Sequence, residues 1–229
     1  RDAINLRKVH TAAKNRNEEV KFVHARDKVA KTVLTRNSRR ELRRLSSTVA
    51  GDFLGSFPYV TDMKVMIHET TAMAHSVVNG SEGILKDMIT GLDADGEPYA
   101  VCALVSVPGC GITCPGLPQD IVPIFPVAKT FRYRSRSHNK SFSVTREQLP
   151  LLPAYAFTDY KSQGRSLDNV IVDVRGCRSS QSLYVMLSRV RTLRGLAILQ
   201  YFAPEKITKR LPHDLVDELR RLEALAERT

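Results

Sequence analysis

Apolar positions at the start of the chain recur at helical spacing. Ala3, Ile4, Leu6, Val9, Ala12 and Ala13 share one helical face, and Val29, Ala30, Val33 and Leu34 repeat the pattern. Residues 1 to about 50 therefore read as helices. Glycine and proline punctuate the chain from Gly51 to Pro58, and the pattern then changes. Val65-Met66-Ile67, Gly83-Ile84-Leu85, Tyr99 to Val105 and Ile121-Val122 are short apolar runs. Turn signals at Asn79-Gly80, Asp95-Gly96 and Pro108-Gly109 separate them. Short strands at this spacing predict a small antiparallel barrel or sheet.

Beyond Pro150 the pattern changes once more. A helix-like stretch around Ala154 to Thr158 leads through Gly164 to the apolar strand Val170 to Val174. A helix over Ser180 to Val190, a strand over Leu196 to Leu199 and an amphipathic helix over Leu211 to Arg228 follow. Strand, helix, strand, helix predicts a mostly parallel α/β sheet. No run of 18 apolar residues occurs, so no membrane partner is expected.

The net charge of +11 changes the picture, because a surplus of that size favours a polyanionic partner. Two basic segments contribute to it. The run Arg36 to Arg44 reads first as a solvated helix face, with phosphate contact as the rival. In Lys129 to Lys140, Phe131 and Tyr133 alternate with Arg132, Arg134 and Arg136. A strand there would put the arginines on one face, either as charge protecting an edge or as a phosphate-facing strip. The alternation alone does not separate those two.

Four cysteines (Cys102, Cys110, Cys114, Cys177) are too few and too irregular for a disulfide framework. Cys110 and Cys114 lie in a turn-rich stretch, but zinc sites show a second short pair, so reduced structural thiols in an intracellular protein are expected. Asn79-Gly80-Ser81 and Asn139-Lys140-Ser141 fit the glycosylation pattern, and without a secretory signal they read as chance. Arg1 to Asn5 shows neither a signal-peptide core nor an initiator methionine, and reads as the interior of a larger protein.

Two segments carry candidate chemistry. Ala156 to Asp168 is a polar loop before an apolar strand, gathering a hydroxyl, a lysine, an amide and a glycine that could present donors to phosphate. Gln181 to Arg191, continuing through Arg194-Gly195-Leu196, is a helix that ends in arginines. A rigidly held arginine can reach a transferring phosphoryl group.

The pair resembles motifs V and VI of superfamily 1 DNA helicases of the RecD-like and PIF-type 5′-to-3′ branch. Thr158, Lys161, Ser162, Gln163 and Gly164 match its T-x-H-K-S-Q-G loop. Tyr184, Val185, Leu187, Ser188, Arg189, Val190, Arg191, Gly195 and Leu196 match its Y-V-A-L-S-R-V-R helix and glycine-leucine pair. Upstream, Lys64 to Ile67 and Val78 to Gly83 are similar to its V-M-L … V-N-G-x-x-G segment. Two positions depart from the pattern: Tyr160 stands for histidine and Met186 for alanine.

The resemblance implies an α/β fold: a RecA-like parallel sheet interrupted by a small antiparallel SH3-like insert. Its parts would be residues 1–60, an insert over 61–148, and 149–229 with both motifs. It further implies that Thr158, Tyr160 and Lys161 touch single-stranded DNA, and that Gln163 and Gly164 lie toward the nucleotide. Arg189 would sense the γ-phosphate and serve catalysis, with Arg191 more structural. ATP and Mg2+ would be held mainly by a first RecA-like domain upstream of Arg1, since no G-x-x-x-x-G-K-[ST] segment occurs here. The chain alone would not hydrolyse ATP. The setting implied is nuclear, in DNA repair or recombination. The rival readings are an inactive remnant that only binds single strands, and a basic interaction domain with fortuitous motifs. A zinc-protease reading fails because Ala72 occupies the position needed by a second histidine after His68-Glu69.

Overall fold

The structure is a computed structural model that describes residues 1–30, 34–134, 141–177, 179–205 and 213–227. Val33, Arg136, Asn139, Lys140, Leu211 and Arg228, named above, lie outside these. The chain divides into two compact units, residues 1–156 and 157–229.

The N-terminal unit opens with helix α1 (Asp2–Asn15). Asn5, Val9 and Ala13 form its buried stripe, one residue per turn. The buried Asn5 amide is satisfied: Nδ2 donates to the Ala156 carbonyl, and Oδ1 accepts the Tyr155 and Ala156 N–H groups. That trio anchors α1 to the far end of the unit.

Helices were expected over residues 1 to about 50, but strands β1 (Lys21–His24) and β2 (Arg26–Val29) follow α1 instead. Their partners are remote in sequence. β1 pairs with β3 (Ser56–Tyr59), burying Val23 opposite Phe57. β2 pairs with β9 (Ser141–Gln148), which pairs in turn with β8 (Val127–Arg134). Tertiary pairing overrides the local helical spacing. The helical reading does hold at α2 (Arg36–Arg43), where the Thr35 hydroxyl caps the helix by accepting the Ser38 N–H.

A five-stranded antiparallel sheet has the order β10-β4-β5-β6-β7. Its strands are β4 (Lys64–Ile67), β5 (Glu82–Leu92), β6 (Pro98–Ser106), β7 (Ile121–Ile124) and β10 (Leu151–Pro153). The predicted apolar runs fall in β4 to β7. Pro123 and Pro153 sit in the two edge strands, where a missing N–H costs no ladder bond. The core gathers Val9, Val23, Phe57, Val65, Ile67, Leu85, Ala103, Val105, Ile124 and Leu151, among others.

Among the described residues one charged side chain is wholly buried. Arg146 donates from Nε and Nη2 to the two Asp27 carboxylate oxygens at 2.8 Å each. Its remaining bonds go to the Leu42 carbonyl at 2.8 Å and the Phe53 carbonyl at 3.1 Å, and its guanidinium lies 5.2 Å from the centre of the Phe131 ring. A buried ion is tolerated only when its donors are met in this way.

In the C-terminal unit, helix α3 (Asp159–Ser162) precedes β11 (Val170–Val172), α4 (Ser180–Leu187), β12 (Leu196–Ile198) and α5 (His213–Ala226). The helix predicted near Ala154 to Thr158 instead starts at Asp159, because Leu151–Pro153 is claimed by the sheet. β11 and β12 are parallel, and among the described residues theirs is the only parallel strand pair. The fold is therefore mixed α/β: the described strand pair beyond Pro150 is parallel, as the strand–helix alternation predicted there, and the sheets before it are antiparallel. No described helix is long and apolar enough to cross a membrane.

Candidate functional site

The two chemistry-bearing segments meet within the C-terminal unit. Thr158 is the N-cap residue of α3 and is exposed, its side chain making no capping bond. Ser162 is buried and its hydroxyl donates to the Asp159 carbonyl at 2.8 Å, closing the short helix on itself. Tyr160, 83% exposed, therefore points away from this turn. Lys161 occupies the last turn, half-buried.

Gln163 caps α3 in extended conformation, and Gly164 follows at φ +79°. Few side chains tolerate that backbone, and nothing lies within 4 Å of where a Cβ would stand. The exposed Gln163-Gly164 backbone is thus open to close approach. Arg165 turns back, its guanidinium 4.8 Å from the Phe157 ring centre.

From the other segment, α4 is capped by Ser179, whose hydroxyl accepts the Ser182 N–H at 3.1 Å. Leu183 packs with Val172 and Val174 as the small core of this unit. Arg189, just past the helix, is held on three sides. Nε donates to the Val185 carbonyl at 2.7 Å, Nη1 to the Arg165 carbonyl at 3.3 Å and Nη2 to the Ser188 hydroxyl at 2.8 Å. Arginine carries five N–H donors, and these three bonds use three of them.

Three further bonds lock the segments together. The Leu167 N–H donates to the Arg189 carbonyl at 2.8 Å, and the Arg191 N–H to the Leu167 carbonyl at 3.0 Å. This bridge of Leu167 with Val190 is parallel and lies on the amino-terminal side of the β11–β12 pair. The third bond runs from the Ser182 hydroxyl to the Asp159 carboxylate at 2.5 Å. Neither Asp159 nor Ser182 stood out in the sequence. Their only signal is that each lies inside a motif segment, at a position that carries no assigned role.

Gly195 explains the glycine-leucine pair. A Cβ there would stand 1.8 Å from the Asp168 carbonyl oxygen, so only glycine lets the second segment close on the first. Arg191 lies 3.6 Å from Asp168, both well exposed. Met186, the bulkier departure, packs partly buried against the small core. Among the described residues no group of three His, Cys, Asp or Glu could hold a metal. Cys110, in the turn-rich stretch, donates its thiol to Asp120 at 3.6 Å.

No family model matches the chain. Over 138 residues it is 30% identical to the ATP-dependent DNA helicase PIF1 of Rattus norvegicus, covering 60% of this chain and 18% of that protein. The PIF1 helicase of Homo sapiens is 28% identical over the same coverage. The chain therefore spans about a fifth of the length of these curated relatives. Among solved structures, the Pif1 helicase from Candida albicans matches with a TM-score of 0.58 at 20% identity, over 96% of this chain and 47% of that one. The Pif1 helicase from Bacteroides, in complex with ADP-AlF3 and ssDNA, matches with a TM-score of 0.60 at 19% identity, over 97% and 44%. At that identity the structural likeness is one of fold.

The class so defined is an α/β domain that resembles these helicases in fold. More narrowly, sequence and fold together support a PIF1-type helicase domain.

Proposed function

We propose that the chain is the second RecA-like domain of an ATP-dependent DNA helicase acting in the nucleus. Residues 1–60 are its amino-terminal part, 61–148 a small SH3-like insert, and 149–229 the part that carries both motifs. ATP with Mg2+, held mainly by a first RecA-like domain, supplies the phosphoryl group to be transferred. Gln163 and Gly164 face that nucleotide with exposed backbone, and Arg189 offers guanidinium N–H groups to the γ-phosphate. Thr158, Tyr160 and Lys161 hold single-stranded DNA, the tyrosine by stacking on a base where the related pattern has histidine.

The observation that carries this reading is the tie between the two motif segments. Arg189 is mounted on the Arg165 carbonyl, one residue from Gly164. Such a mounting restricts the guanidinium to one approach, which is what an arginine finger requires.

The test uses the longer polypeptide that includes the nucleotide-holding domain. Arg189→Ala should lower DNA-stimulated ATP hydrolysis by roughly 10³-fold or more. DNA affinity without nucleotide should stay within a factor of about two, since the described bonds of the side chain go to Val185, Arg165 and Ser188 and to none of the proposed DNA contacts. Hydrolysis at the wild-type rate would remove Arg189 from the chemistry.

A further inference from the structure

The two basic segments of the N-terminal unit have different surroundings. On α2, Arg39 pairs with Asp95, and Arg43 lies 3.6 Å from both Asp93 and Glu97. Carboxylates on the β5–β6 turn thus neutralise that face.

The sheet β2–β9–β8 is unlike it. Residues opposed in an antiparallel ladder share a face, and every second residue returns to it. The register puts Lys28, Thr145 and Thr130 in one row and Arg132 beside Ser143 in the next, with Arg134 continuing the same face. Lys28, Thr130, Arg132, Arg134 and Ser143 are exposed, and the Thr130 and Thr145 hydroxyls are 3.0 Å apart. The opposite face carries Phe131, Val144 and the buried Arg146. Among the described residues the one acid on the polar face is Glu147, which Arg26 already engages at 2.5 Å. Neither Lys28 nor Arg132 has a described carboxylate partner.

Edge protection accounts for arginines on β8, which is an edge strand. It does not account for the hydroxyls on the central strand β9. Nor does it require that Lys28, on the opposite edge strand β2 about 10 Å away, share one face with the arginines of β8. A row of cations and hydroxyls with no aromatic among them matches the phosphates of a nucleic-acid strand and offers no aromatic ring for bases to stack on.

We infer that this outer face of β2–β9–β8 is a second nucleic-acid contact, holding the sugar–phosphate backbone without reading sequence. It lies in the N-terminal unit and does not rest on the roles proposed for Arg189 or the Thr158–Gly164 loop.

The test is fluorescence anisotropy of the full chain with a labelled thymidine oligonucleotide, comparing wild type with the double variant Lys28→Glu/Arg132→Glu. Affinity should fall by about tenfold or more, and the slope of log affinity against log salt should shrink by about 0.7 for each phosphate that is no longer neutralised. The melting temperature should hold, because both side chains are exposed, and a mixed-sequence oligonucleotide of equal length should lose affinity equally. Unchanged affinity and slope overturn the inference. So does a loss confined to vesicles containing phosphatidylserine, which would assign the face to a membrane. A Lys161→Ala variant measured beside them separates the two readings. If only Lys161→Ala weakens binding, the second nucleic-acid face is wrong. If only the double variant does, the loop reading is wrong.

Discussion

The two units place their recognisable sequence and their packing in opposite places. The N-terminal unit has a broad core running from Val9 through Phe57 and Leu85 to Leu151, yet its one motif-like stretch, Lys64 to Gly83, is short. The C-terminal unit carries both strong motifs around a core whose buried members, among the described residues, are Val172, Val174 and Leu183. Ile171 on its strand β11 is 70% exposed, and Leu193 and Tyr201 are exposed further. Apolar packing admits many solutions of similar volume, so it leaves little fixed spelling. A site built from a 2.5 Å hydroxyl–carboxylate bond and a glycine with no room for a Cβ admits few.

That contrast can be broken by substitution. The largest effect is expected in the well-packed unit. Arg146→Ala strands the buried Asp27 carboxylate and two carbonyls, and should cost about 3–5 kcal/mol in urea unfolding. A loss under about 1 kcal/mol would mean that the core alone secures this unit. Next comes Gly195→Ala. Its Cβ meets the Asp168 carbonyl, so the variant should lose about 1–3 kcal/mol locally. Amide exchange should quicken through Asp159 to Ile198 while β4 to β7 keep their protection. Equal loosening of both units would show that they do not open independently.

Ser182→Ala is smaller. It deletes the bond to Asp159 and should cost about 1 kcal/mol, read as faster exchange at Ser162 and Leu167. The smallest effect follows pH. Burial, helped by nearby Arg43, pushes His24 below its ordinary value of 6.5 against the pull of Glu97 and Asp93. The folded state then prefers neutral imidazole, and the unfolded chain takes up the proton first. His24 thus contributes stability above pH 6.5 that fades as pH falls from there and levels off below the folded value. His24→Gln should flatten melting temperature between pH 7.5 and 5.5. A steeper fall in the variant would reverse the sign.

What the sequence reveals follows the same division. Strands β4 to β7 are legible because each is a short apolar run bounded by Gly, Pro or Asn. Strands β1 and β2 are not, because Lys21 to Val29 gains its strand character from partners more than 30 residues away, at β3 and β9. The alternation of Phe131 and Tyr133 with Arg132 and Arg134 is legible as a strand. Only the register shows that Lys28 joins the arginines on one face. In the C-terminal unit the spelling of the motifs predicts which residues gather, but not what binds them. Asp159 and Ser182 are ordinary polar residues until the chain brings them within 2.5 Å.

The inward-facing Arg146 also bears on how the chain is made. It grips residues 27, 42 and 53, all synthesised roughly a hundred positions earlier. Until Arg146 leaves the ribosome, the Asp27 side chain has no counter-charge and β2 has no partner strand. The first half of the N-terminal unit must therefore wait, loosely collapsed, for a late arrival. Any nascent fragment ending before that point should be a client for chaperones and proteases.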